Sequence, residues 1–267
     1  MAYLFGTISI IFTIVLLFQA LEFLYVKKFK KPLLVFGIIF LKKLSIQDKQ
    51  FILENCSFYS NLKPKYQKYF EHRIIKFASK YKFLGENIEV TTQMKLLIAS
   101  SFVKLTFGYR DYLSSVFETI VIYPDIYESE TPKRFHKGEF NPKKKIIKFS
   151  WKHFNEGNSI TNDNLNLGLH EFAHVLHYQS NKIETPQTLL FRESTKSLFA
   201  ILKDKELKQK LISSGYLRGY AFENQYEFVA VVLEHFFETP TELKSEFPQI
   251  YCKVKQMINY NEKVFIV

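Results

Sequence analysis

Cysteine is nearly absent from this chain: Cys56 and Cys252 are the only two in 267 residues. Thiols that far apart make neither a disulfide framework nor a cysteine-based zinc knuckle, and they suit a reducing compartment. There is no internal repeat and no low-complexity tract. No lysine or arginine precedes Lys27, and no charge of either sign precedes Glu22. That absence removes the basic leading region of a secretory signal, and no small-x-small cleavage site follows. What remains is 47% hydrophobic and 24% charged, which is a globular composition and excludes wholesale disorder.

The uncharged start is a membrane span. Tyr3 to Val26 reads YLFGTISIIFTIVLLFQALEFLYV. At helical rise, such a run covers about 36 Å, enough for a hydrocarbon core of roughly 30 Å. Lys27, Lys28, Lys30 and Lys31 follow at once. By the positive-inside rule the N-terminus lies outside and everything after the span lies in the cytoplasm, so a single-pass membrane protein is expected. Glu22, one turn from that boundary, is placed to pair with these lysines. Leu33 to Leu41 is a second apolar run, too short to span, and reads as an interfacial or packing segment. The anchor and its basic flank are residues 1–31, and residues 32–267 form the remaining domain.

Charge is uneven. Residues 27–152 carry 25 Lys/Arg against 11 Asp/Glu, whereas residues 153–267 carry 12 against 14. A basic segment next to a membrane span favours anionic lipid over nucleic acid, and no nucleic-acid-binding motif accompanies it.

Helical patterning dominates the body. Ser45 opens a capping-box-like S-I-Q-D, and helical stretches cover Lys65–Phe77, Met94–Phe107, 163–180, 186–213 and 222–238. Glu118–Tyr123 and Lys145–Trp151 read as two strands that pair with each other, with Gly138–Pro142 as a turn between them. The expected class is α+β, mostly helical with a small sheet.

The chemistry starts at His170-Glu171-Phe172-Ala173-His174. On a helix, His170 and His174 are one turn apart on one face, so two imidazoles can meet one metal ion. Glu171 flanks that face and can take a proton from water. Asp163 or Asn164 is the expected cap of this helix. Two imidazoles and a carboxylate suit Zn²⁺. The third ligand is not a histidine in the HExxHxxGxxH manner, because His177 and Ser180 stand where that pattern needs Gly and His. A carboxylate from a later helix is the alternative. Glu227 and Glu234, two turns apart inside FENQYEFVAVVLEHFFE, both qualify, one as ligand and the other as its supporting neighbour.

In these residues the chain resembles the zinc-dependent peptidases typified by Mlc titration factor A, whose catalytic core is similar to that of lethal factor. The resemblance covers roughly residues 45–255 through VIYPDIY, IIKFSW, LHEFAHVLH and YAFENQYEFVAVVLEHFFETP in order. It implies a zincin-like metallopeptidase domain; the transmembrane helix before it is a departure from the family, whose other members are soluble. It also implies Zn²⁺ on His170, His174 and Glu227, Glu171 as general base, and Tyr220 as the group that stabilises the transition state. The family has Asp where this chain has His177, so the resemblance makes His177 a supporting residue beside the ligands or a core residue. The implied substrate is a peptide or protein, with KIIKFSW as the sheet edge that pairs with it. A second implication is a regulatory role, since the family's name comes from sequestering a transcriptional repressor. Nothing points to nucleic acid. His72, His136, His153 and His235 read as surface or core residues.

Overall fold

The structure, a computed structural model, describes residues 2–37, 40–128 and 135–266. Helix α1, Ala2–Phe29, is the apolar run, and within Phe5–Phe29 its 18-residue apolar window has a mean hydropathy of 2.1. It is long and apolar enough to cross a membrane. Its side chains are exposed from Phe5 through Leu21, but Glu22 and Val26 are buried. Phe23 and Val26 pack on Tyr109, Leu189 and Leu190. The Glu22 carboxylate pairs with Arg110 at 2.6 Å rather than with the lysines expected from the sequence. The reason is helical phase. Glu22 and Val26 are i and i+4 and share the docked face, while Lys27 and Lys28 rotate away from it.

The described residues of Leu33 to Leu41 form no helix. Phe36, Leu41 and Leu44 pack on the core, while Leu33, Leu34 and Phe40 stay exposed; residues 38–39 lie outside the described residues. The Arg73 guanidinium, itself buried, lies 5.2 Å over the Phe36 ring and donates to the Val35 carbonyl. Ser45 caps α2, Ile46–Asn55, by accepting from the Asp48 amide, as its pattern predicts. Next come α3, Ser57–Ser60, α4, Pro64–Lys80, and α5, Thr92–Thr106, capped by Thr91.

The sheet has strand order β1-β2-β6-β5. Strands β1, Lys82–Gly85, β2, Thr119–Tyr123, and β6, Ile146–Ser150, run parallel. Strand β5, Gly138–Asn141, pairs antiparallel with β6, Gly138 opposite Phe149. A separate two-stranded pair joins β3, Tyr127–Glu128, to β4, Phe135–His136. Two expectations are corrected here. The 138–142 turn is a strand, with the reversal falling just after it and Lys145 at φ 56°. In consequence β6 is interior, held by β2 and β5, so KIIKFSW is no edge; β5 is.

Helix α6, Trp151–Ser159, leads to α7, Leu167–Lys182. The cap of α7 is Asn166, not Asp163 or Asn164. The 186–213 stretch divides into α8, Pro186–Ile201, and α9, Lys205–Ser213, which Asp204 starts by accepting from the Glu206 and Leu207 amides. A 3-10 turn at Gly219–Phe222 precedes α10, Gln225–Glu238, and α11, Pro240–Glu246, and α12, Pro248–Met257, close the domain. Helices therefore dominate around one small sheet, an α+β fold.

An aromatic cluster centres the core. Phe172 on α7 meets Phe102 at 5.0 Å and Phe149 at 5.6 Å between ring centroids, and Phe77 and Phe117 surround it. Phe172 lies on the opposite side of α7 from His170 and His174, so its burial turns both histidines outward from the core.

The docking of α1 generates a test. Removing one partner of a fully buried ion pair costs roughly 3–5 kcal/mol. Arg110 keeps 27% of its side chain exposed, so Arg110→Ala should weaken docking by about 2 kcal/mol. Trypsin cutting of the full chain in detergent at Lys27–Lys31 should then speed up. Unchanged cutting would show that the pair does not hold α1 down.

Candidate metal centre

Asn166 fixes the start of α7. Its side chain accepts from the Leu169 amide at 3.0 Å and donates to the Gly157 carbonyl at 2.8 Å, while its own amide donates to Glu234 at 2.9 Å. One turn on, His170 faces α10. The ring is gripped from both nitrogens by one face of that helix. Glu234 Oε1 is 2.7 Å from Nδ1, and Glu227 Oε2 is 3.0 Å from Nε2. The seven-residue spacing of the two acids, nearly two turns, allows this.

His174 completes the group. Its Nε2 lies 3.1 Å from His170 Nε2 and 3.5 Å from Glu227 Oε2. The ligand atoms of His170, His174 and Glu227 all fall within 4.8 Å of one another. Glu227 Oε2 is buried, with the two imidazole nitrogens as its close neighbours. With Nδ1–H donating to Glu234, the Nε2 lone pair of His170 aims at the same point as those of His174 and Glu227. This donor set fits a metal ion. Burial opposes charge on both His170 and Glu227. The hydrogen bonds of His170 to Glu227 and Glu234 outweigh it, so the imidazole rises to about 10. His170 and His174 likewise hold the Glu227 carboxyl well below the usual range. A cation held here would compete with protons for these donors.

Glu171 is buried beside this group, and burial raises its carboxyl above the ordinary value, against the pull of His174 and His170. The backbone of β5 presses on it. A Cβ on Gly138 would come 2.6 Å from Glu171 Oε1 and 2.8 Å from its Cγ, so only glycine leaves this carboxylate its place. Tyr220, in the 3-10 turn before α10, brings its ring to 5.9 Å from that of His170. Burial and the Glu227 carboxylate raise its hydroxyl, which stays protonated. His170, Glu171 and Tyr220 all line a cleft of about 410 Å³.

His177 does not join the cluster. Its ring lies 4.2 Å from that of Tyr226 and 6.1 Å from that of Phe191, and its Nδ1 is buried without a hydrogen-bond partner. Burial holds it neutral, down at about 4. It is a core residue. His136 and His153 line the cleft, but neither belongs to the group of close donors among the described residues.

Sequence reasoning missed Arg218, Asn166 and Gly138. Arg218 donates to Glu234 Oε1 at 2.7 Å, to Oε2 at 3.2 Å and to the Asn164 carbonyl at 2.6 Å. A lone arginine 16 positions from its partner leaves no local signal. Asn166 had one, being a capping residue type immediately before the helix.

Arg218→Ala would leave the buried Glu234 with less compensation. Breaking a fully buried pair costs roughly 3–5 kcal/mol. The Arg218 side chain is 29% exposed, so a loss of about 2–3 kcal/mol is expected by denaturant unfolding. A loss within experimental error would show that His170 and Asn166 suffice for Glu234.

An uncharacterized protein of Synechocystis sp., slr2042, is 26% identical over 217 residues, covering 74% of this chain and 78% of its own. A family model described as glucose-regulated metallo-peptidase M90 matches residues 38–259, which include the donors of α7 and α10 and leave out α1. The chain is thus a member of the M90 metallopeptidase family.

Proposed function

We propose that the chain is a membrane-anchored zinc metallopeptidase that hydrolyses peptide bonds. Residues 1–31 are the anchor and its basic flank, and residues 32–267 the catalytic domain. The observation that carries the proposal is the convergence of His170, His174 and Glu227 on one point, beside Glu171 and Tyr220 in one cleft. Zinc is favoured by the donor types, two imidazoles and a carboxylate, whose ligand atoms stand 3.1, 3.0 and 3.5 Å apart.

His170, His174 and Glu227 would hold the ion, which supplies a Lewis acid for the scissile carbonyl and makes water a better nucleophile near neutral pH. Glu234 keeps the proton of His170 on Nδ1 and so aims Nε2. Glu171 accepts the proton of the attacking water and passes it to the leaving amine; its raised affinity for protons suits both steps. Tyr220 keeps its proton and donates a hydrogen bond to the developing oxyanion. The free edge of β5 offers backbone groups to an extended substrate, in place of β6.

For localisation, the support is the charge asymmetry around α1. No base precedes Lys27, and Lys27, Lys28, Lys30 and Lys31 are all exposed. The proposal places the catalytic domain in the cytoplasm.

Glu171→Gln should lower peptide hydrolysis by on the order of 10³-fold while retaining metal. Tyr220→Phe should lower kcat about 10²-fold with KM little changed. Hydrolysis unaffected by Glu171→Gln would sink the proton-transfer role, and absence of hydrolysis by the unaltered zinc-loaded chain would return it to the repressor-sequestering reading.

Protease added outside intact spheroplasts should spare the domain after Lys31. Digestion of the HEFAH region from outside would reverse the orientation.

A further inference from the structure

The cleft that opens on His170 and Glu171 has an apolar rim. Phe135, Ile160 and Leu165 line it and are 73%, 47% and 54% exposed. None of the three is part of the hydrophobic core. They come from separate segments: β4, the end of α6 and the loop before α7. Single exposed apolar side chains are ordinary, but three from different segments converging on one cleft mark a binding surface.

The rim is held rigidly. Gly157 of α6 approaches the loop so closely that a Cβ there would lie 2.4 Å from the Leu165 carbonyl. Asn166, next to Leu165, binds the Gly157 carbonyl at 2.8 Å. The residue that caps the metal-binding helix therefore also ties the loop of Leu165 to α6. Two polar groups of the cleft are engaged elsewhere, while the buried His136 Nε2 has no hydrogen-bond partner among the described residues. Arg218 is bound to Glu234 and to the Asn164 carbonyl, and His153 Nδ1 to the Ser150 hydroxyl.

We infer that Phe135, Ile160 and Leu165 form a specificity subsite for a bulky apolar side chain of the substrate, next to the scissile bond. The inference rests on the peptidase reading. The occupant is a peptide residue because the rim is continuous with His170, Glu171 and Tyr220 in a single cleft of about 410 Å³, a size in the range of sites that enclose small ligands. Removing the apolar surface at one such contact changes selectivity by about 10-fold to 100-fold.

The test uses the full chain in detergent, loaded with zinc, and a peptide library varied at each position around the cleaved bond. At one fixed position, Phe, Leu or Met should be preferred over Gly or Asp by about tenfold or more in kcat/KM. Ile160→Asp and Leu165→Asp, both at exposed positions, should each reduce that ratio about tenfold with zinc content unchanged. In parallel, binding of a Phe-containing library peptide is measured on Glu171→Gln, alone and combined with Ile160→Asp, which should weaken it about tenfold. Cleavage without apolar preference, or a preference that survives both Asp variants, would overturn the subsite and leave the peptidase reading standing. Binding that depends on Ile160 with no cleavage by the unaltered chain would keep the subsite and overturn the peptidase reading. Neither cleavage nor Ile160-dependent binding would overturn both.

Discussion

A carboxylate buried in an apolar helix must be fully partnered, and Glu234 sets that demand for this domain. From Phe228 to Phe236 every residue of α10 is buried, and Glu234 is 1% exposed among them. An unpaired charge there would cost more than the domain could sustain. Its partners are His170 Nδ1, the Asn166 amide and the Arg218 guanidinium. Each belongs to a different segment, so satisfying one carboxylate joins α7, its cap, α10 and the loop that carries Tyr220. The metal-binding geometry is a consequence of that junction.

Helix α7 shows how one sequence serves core and chemistry at once. Phe172, Ala173, Val175 and Leu176 are buried, and Phe172 locks into the central aromatic cluster. The opposite side presents His170 and His174 to α10, and Glu171 lies against β5, where Gly138 leaves it room. Side chains held from behind by close packing can keep separations near 3 Å between ligand atoms without a metal to enforce them. At the other end of the molecule, Glu22 and Arg110 repeat the principle: a buried carboxylate finds a guanidinium, and the pair orients α1 on the domain.

The parts legible in the sequence were those with a local signature. The long apolar helix α1 shows in an uncharged run, α2 in Ser45, and His170, Glu171 and His174 in a five-residue pattern. Glu227 and Glu234 were recognisable as acids within an apolar run, though residues alone left open which of them faces the Nε2 side. The parts that were hidden depend on tertiary partners. Strand β5 looked like a turn because Gly138 and Asn141 are turn residues, and its pairing with β6 overrides that preference. Strand β1 has only four residues, KFLG, and its pairing with β2 supplies what its composition does not. Arg218 acts across 16 positions and His177 is defined by the Tyr226 ring it meets, neither of which spacing along one helix can reveal.

In the proposed metal centre α10 would supply the third ligand through Glu227 while Glu234 supports His170 from the other nitrogen. A crystal structure of the zinc-loaded chain, with anomalous scattering recorded across the zinc edge, addresses it most directly. The account expects one anomalous peak about 2.0–2.2 Å from His170 Nε2, His174 Nε2 and a Glu227 carboxylate oxygen, with Glu234 still on His170 Nδ1. A peak coordinated by Glu234 or His177 in place of Glu227, or no peak between the two histidines, would contradict it.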